Sequence, residues 1–196
     1  MKTLPRLAAL MLPLLLAASL GHGVERETAL FVEPPGLEPD IQFWMQIYTE
    51  VDSESGLLHD YRNIDVVYGE IDLPRGLSTK AEDRYLEKEK DHYRKILKTL
   101  ATGKRTKLSP EEKRVLALFP PGVSNKELKA HVKRIRFQQG QADRFRAGLV
   151  RSGAYADHIQ EILGEMGLPP QLAALPHVES SYSPEAYSRI GASGLW

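Results

Sequence analysis

One acid stands out in this sequence. Glu179 lies in the closing run LPPQLAALPHVESSYSPEAYSRIGASGLW, after Leu172, Ala173, Ala174, Leu175, Pro176 and Val178. That is unusually apolar company for a carboxylate. With helical periodicity, Leu172, Leu175 and Glu179 share one face. If that face is buried, so is the carboxyl. Loss of water favours the protonated form, and a protonated carboxyl in a cleft can act as a general acid. The other reading is structural: Glu179 ends a helix and is hydrogen-bonded to the following turn through Ser180 or Ser183. Pro176 bears on the same choice. A proline inside a helix removes a hydrogen bond and kinks the axis. A kink one turn before the acid would aim it at a cleft; alternatively, the helix is short and ends there.

The remaining reactive residue types form no comparable constellation. The histidines at 22, 59, 92, 131, 158 and 177 are scattered, and no two stand three or four residues apart on a helix. No metal site and no cofactor are therefore expected. Ser180 and Ser181 lie near His177, but a nucleophilic serine needs a base that a third group orients, and nearness in sequence does not supply one. The basic stretch Gly103–Lys107 reads as a short exposed loop rather than a contact for an anionic polymer.

Composition narrows the partners. The chain has 196 residues, with 26 basic and 26 acidic ones, so no net field favours nucleic acid, and none is expected as a partner. Residues 1–23 have a basic start (Lys2, Arg6), an apolar run from about Leu7 to Leu20 and small residues after it. That is the layout of a secretory signal peptide. The run falls short of the roughly 20 apolar residues of a spanning helix, and Pro13 interrupts it. The absence of cysteine means no disulfides and no thiol for a lipid anchor. An exported, periplasmic protein is expected, with membrane association left open.

The elements that must position Glu179 read as mainly α-helical. After an extended lead-in, a helix is expected over Asp40–Val51, with Asp40 as its cap and Ile41, Trp44, Ile47, Tyr48 and Val51 on one side. Two β-favouring runs, Leu57–Tyr61 and Val66–Ile71, flank Arg62-Asn63 and suggest a small hairpin. Tyr85, Leu86, Tyr93, Ile96, Leu97 and Leu100 form a helical stripe ending near Gly103, opposite a solvated face of mixed charge. Ser109-Pro110-Glu111-Glu112 and Ser124-Asn125-Lys126-Glu127 both read as capped helix starts. The second is expected to open one long helix through Val132, Ile135, Ala142, Phe145 and Leu149, broken at Ser152-Gly153. A further stripe, Tyr155 to Met166, closes at Gly167, and Pro169-Pro170 starts the last helix.

At Glu179 a resemblance becomes specific. Glu179-Ser180, Tyr182, Pro184 and Ala186, followed by Gly191-Ala192-Ser193-Gly194-Leu195-Trp196, resemble the first two motifs of lytic murein transglycosylases of the membrane-bound D type. The catalytic domain of that family is similar to goose-type lysozyme. The match is close from about Phe145 onward, and less specific over residues 37–140. It implies a signal peptide at 1–23, a helical N-terminal region at 24–140 and the start of the catalytic domain at 141–196. It also implies that the protein acts on peptidoglycan glycan strands, with cell-wall enzymes as candidate partners. Glu179 would protonate the oxygen of the β-1,4 bond between N-acetylmuramic acid and N-acetylglucosamine. It would then take the proton of the muramyl 6-hydroxyl, leaving a 1,6-anhydromuramyl end. One carboxyl can serve as acid and then base because the substrate supplies the nucleophile. By the same resemblance Ser180 orients Glu179, while Gly194, Leu195 and Trp196 line the sugar cleft. Glu185 has no catalytic role in the family and reads as a solvated loop residue. The alternative is a non-catalytic periplasmic helical module that binds peptidoglycan or a wall enzyme.

In the family the second motif continues with glutamine, and later motifs bring a tyrosine to the catalytic glutamate. This chain reads as a C-terminally truncated form, incomplete in its catalytic domain and poorly folded near its end. Residues 24–196 alone are accordingly expected to leave no clearing on a peptidoglycan zymogram; full clearing would contradict that expectation.

Overall fold

The computed structural model describes residues 34–185. The signal-like segment 1–23 and three of the expected cleft residues, Gly194, Leu195 and Trp196, lie outside the described residues. The described part is mainly α-helical with one small antiparallel sheet, as the sequence suggests.

The chain opens with α1 (Glu38–Thr49), whose first turn carries Glu38 and Asp40, acids placed to favour the positive end of the helix dipole. Asp40 therefore lies inside the helix and is not its cap. The buried face is Phe43 and Ile47, rotated from the expected side, so Trp44 is left 40% exposed. The expected hairpin follows as β1 (Ser55–Asp60) and β2 (Val67–Asp72), paired antiparallel with a bulge at Leu58/His59.

All six residues of β1 are buried, because it is the middle strand and both its faces are covered. Alternation sends successive side chains to opposite sides. Leu57 packs with Phe43, Ile47 and Val51 of the α1 side, and His59 sets its ring 4.7 Å from Phe43. Leu58 joins the larger core on the other face, with Tyr93, Ile96, Leu97 and Leu100 of α2 (Thr79–Ala101). That core is completed by α3 (Pro110–Leu116) and α4 (Asn125–His131), through Val115 and Leu128. Both short helices start with complete capping boxes, Ser109 with Glu112 and Ser124 with Glu127. Each serine cap stabilises its helix by about 1 kcal/mol. The basic loop is turned to internal use: the Arg105 guanidinium donates to the Leu100 carbonyl at 2.6 Å, closing the end of α2.

The long helix expected from Ser124 does not form. It divides into α4, β3 (Ile135–Gln139) and α5 (Ala142–Ser152). Val132, Ile135, Ala142 and Phe145 fit one helical stripe on paper, yet the open edge of β1 needs a hydrogen-bonding partner. Residues 135–139 supply it, giving the order β2-β1-β3. Gly140 then passes so close to the Val51 and Asp52 carbonyls that a Cβ there would collide with backbone. The next two amides reach the end of α1: Gln141 N–H donates to Ile47 O and Ala142 N–H to Val51 O, both at 2.9 Å. Asp143, in the first turn of α5, accepts from the Ser53 amide at 2.8 Å and the Ser53 hydroxyl at 2.6 Å. These contacts tie α5 to α1.

The strand β1 ends in a polar knot. Asp60 is fully buried. Its Oδ1 accepts from the amides of Arg62 and Asn63 at 2.7 and 3.0 Å. Its Oδ2 lies 2.5 Å from Nδ1 of His131, the last residue of α4. Phe119 covers that imidazole at 4.7 Å between ring centroids. Asp60→Ala leaves these buried donors without an acceptor and is expected to cost about 3 kcal/mol or more. Urea unfolding should show the lowered midpoint at an unchanged slope.

Candidate functional site

Three further elements carry Glu179. After α5 come α6 (Ala156–Glu165), a short 3-10 helix (Pro170–Ala174) and α7 (Leu175–Glu179). Pro176 does not interrupt a longer helix. It occupies the first turn of α7, where the missing N–H costs nothing, and its ring is buried. Glu179 is the last residue of α7 and is exposed. Leu175 and Val178 are 47% and 59% exposed, so the apolar face expected to bury Glu179 lies open. Leu172 falls in the 3-10 helix, which removes it from the regular α spacing with Leu175 and Glu179.

The turn after Glu179 is held by several converging contacts. Ser180 ends the helix and donates its amide to Pro176 O at 3.1 Å. Ser181 and Tyr182 both take left-handed backbone conformations, with φ of 50° and 55°. Such conformations cost a non-glycine residue of the order of 1–3 kcal/mol each and persist only where the surroundings enforce them. The Tyr182 ring is buried, and its hydroxyl donates to Ala173 O at 2.7 Å. The Tyr182 amide donates to Pro176 O at 3.2 Å. From α5, the Arg151 guanidinium grips Ser181 O through Nε and Nη2 at 3.0 and 2.7 Å. Gly148 permits that approach: a Cβ there would stand only 3.1 Å from Ser181 O.

A file of rings runs along the same junction. Trp44 and Tyr48, one turn apart on α1, lie 6.0 Å apart by centroid. Tyr48 lies 5.7 Å from Phe145 of α5, and Phe145 lies 5.2 Å from His177 of α7. Burial, and after it the charge of Glu179, push the Tyr48 phenol above its ordinary value. Tyr48, Phe145 and Arg151 are the residues that sequence reasoning did not assign to the site. The aromatic pair at i, i+4 on α1 is the signal that could have found them.

Of the remaining expected residues, Ser180 follows Glu179 as the C-cap of α7, and Glu185 is exposed. The Ser181 hydroxyl donates to the His177 carbonyl at 3.3 Å and not to its ring. The described cavities lie elsewhere. One of about 490 Å³ is bounded by Arg105, Phe119 and the 120–123 turn. Another of about 310 Å³ lies between α1 and the start of β2.

The His177 imidazole is packed against Phe145 and Tyr182, and its buried Nδ1 has no hydrogen-bond partner among the described residues. Desolvation holds its pKa below the ordinary 6.5. In the window below 6.5 the unfolded chain therefore binds more protons than the folded one, and stability rises with pH. The His177 contribution is fully present above pH about 6.5 and is lost as pH falls through the folded value. His177→Phe should flatten the fall in melting temperature below pH about 6.5; an unchanged pH profile would show that burial of this ring carries no such linkage.

No protein-family model, curated protein or solved structure matches this chain.

Proposed function

We propose that this chain is an exported lytic transglycosylase that cleaves the β-1,4 bond between N-acetylmuramic acid and N-acetylglucosamine in peptidoglycan. Glu179 acts first as general acid and then as general base. The observation that supports this most directly is the pairing of an exposed carboxylate at the end of α7 with a strained turn locked from behind. The motif residues Glu179, Ser180, Tyr182 and Pro184 fall on that one feature. Tyr182 supports the turn through its buried ring and its bond to Ala173. On this reading the carboxyl gives its proton to the glycosidic oxygen as the bond to the muramyl anomeric carbon breaks. The carboxylate then takes the proton of the muramyl 6-hydroxyl as that oxygen closes onto the anomeric carbon. No water is consumed, so no second carboxylate is required to activate one. The reaction calls for neither metal nor cofactor, and the glycan strand is the partner.

A second reading keeps the glycan and drops the chemistry: a periplasmic helical module that binds peptidoglycan or a wall enzyme. The exposure of Leu175 and Val178 beside Glu179 favours it, because an open apolar face is a feature of interaction surfaces.

Glu179→Gln separates the two readings. Purified sacculi are digested with the full-length protein and with its Glu179→Gln variant. Products are resolved by mass spectrometry. The wild type should release 1,6-anhydromuropeptides, and the glutamine variant should lose at least about 100-fold in rate while still sedimenting with sacculi. Undiminished anhydro product from the variant would remove Glu179 from its role. Sedimentation with sacculi but no anhydro product from either form would leave the binding module.

A further inference from the structure

The larger cavity takes no part in the reading of Glu179, and its lining has a chemistry of its own. One wall is the outer face of α3, where Lys113, Leu116 and the C-cap Ala117 stand three and four residues apart and so share a side. The other walls are the loop after α2, through Arg105 and Leu108, and the turn at 120–123. Leu108, Leu116 and Val123 pack against the main core while remaining half-exposed, and Phe119 is buried in that core. The surface they present to the cavity is hydrocarbon. A volume of about 490 Å³ suits a small molecule. A folded partner needs a broader contact, on the order of 800 Å² from each side.

Two cations line this apolar cavity, and no carboxylate among the described residues pairs with either. Arg105 is fixed by neutral acceptors. Its Nη1 donates to the Leu100 and Lys104 carbonyls at 2.6 and 3.0 Å, and its Nη2 to the Val123 carbonyl and Asn125 Oδ1 at 3.3 and 3.0 Å. Those four bonds hold the guanidinium in place and leave its charge uncompensated. Lys113 is exposed, and the acids beside it in sequence are engaged elsewhere. Glu112 pairs with Lys104 at 2.8 Å, and Glu111 with His92 at 2.9 Å. Hydrocarbon walls with unspent positive charge select an anion that carries an apolar body. We propose that this cavity binds a medium-chain carboxylate, with its chain on Leu108, Leu116, Phe119 and Val123 and its head group at Arg105 and Lys113. A held guanidinium has lost its side-chain freedom before the ligand arrives, so its charge is offered without a further ordering cost. The site is independent of Glu179 and of any action on glycan.

The test compares two ligands of equal chain length, one charged and one neutral. Decanoate and decanol, both below their aggregation limits, are titrated into the isotope-labelled full-length protein and into Lys113→Glu and Ala117→Trp, and backbone amide shifts are recorded. Decanoate should move the amides of residues 105–123 and bind at least about tenfold more tightly than decanol. Lys113→Glu should weaken decanoate by at least about tenfold and leave decanol within about twofold. Ala117→Trp, which fills the cavity from α3, should weaken both ligands by at least about tenfold. Spectral dispersion shows whether each variant is folded; if the tryptophan variant is not, the charge reversal on the exposed Lys113 carries the test. Equal affinity for decanoate and decanol would overturn the site, as would folded variants that bind decanoate like the wild type. A wild type that responds to neither ligand would also overturn it. So would shifts centred on the exposed apolar residues of α6 and α7, which would mark general adsorption.

Discussion

The strand β1 is the constraint from which the rest of this structure follows. It is six residues long and wholly buried, so every backbone donor and acceptor on it must find a partner inside the protein. The hairpin with β2 satisfies one edge, and the other edge has to be supplied from far along the chain. Its two faces are equally demanding. Leu57 and His59 require an apolar cover on one side, which α1 provides. Leu58 and Asp60 require one on the other, and α2, α3 and α4 provide it. The hydrophobic burial is generous, but it is the backbone accounting that decides which segment becomes β3.

That decision carries through to the site. Once residues 135–139 lie along β1, Gly140 is pressed against the Val51 and Asp52 carbonyls just past α1, and the amides of 141 and 142 bond Ile47 O in the last turn of α1 and Val51 O beyond it. The start of α5 is thereby fixed relative to α1. Gly148 and Arg151, on the following turns of α5, bring Ser181 in close and hold its carbonyl. The position of Glu179 is thus set by a chain of backbone contacts that begins in the sheet. A substitution at Gly140 would be felt at Glu179, although α5, α6 and the 3-10 helix lie between them in sequence.

Much of this was legible from residue types. The two capping boxes announce α3 and α4 because a serine and a glutamate three residues on satisfy each other's backbone amides. The stripe Tyr93, Ile96, Leu97 and Leu100 announces the buried face of α2, and the paired β-favouring runs announce the hairpin. The third strand was hidden because its alternation, Ile135 and Phe137 against Arg136 and Gln138, is only four residues long, and because its neighbours Val132 and Ala142 extend a helical spacing through it. Its selection depends on the free edge of β1, a tertiary demand that no local pattern expresses. At the candidate site the acid and its turn were visible as motif residues. The aromatic company on α1 was not, since Trp44 and Tyr48 read as ordinary members of an amphipathic face until the helix is seen to turn Phe43 inward.

The exposure of Glu179 has a consequence for how an acid at this place could work. A general acid must hold its proton until the leaving oxygen takes it, and a carboxyl holds a proton better once water is removed from it. Within the described residues the protein does not remove that water, because α7 presents Glu179 at its open end. The covering has to come from whatever lies on the surface when the site is occupied. A glycan laid against the open end of α7 would cover the carboxyl, replacing water with sugar carbons on one side and offering a hydroxyl to it on the other. Substrate binding and activation of the acid would then be one event. The strained, doubly anchored turn at Ser181 and Tyr182 fits the proposed division of labour, in which the protein would fix where the carboxyl stands and the bound strand would shield it from water.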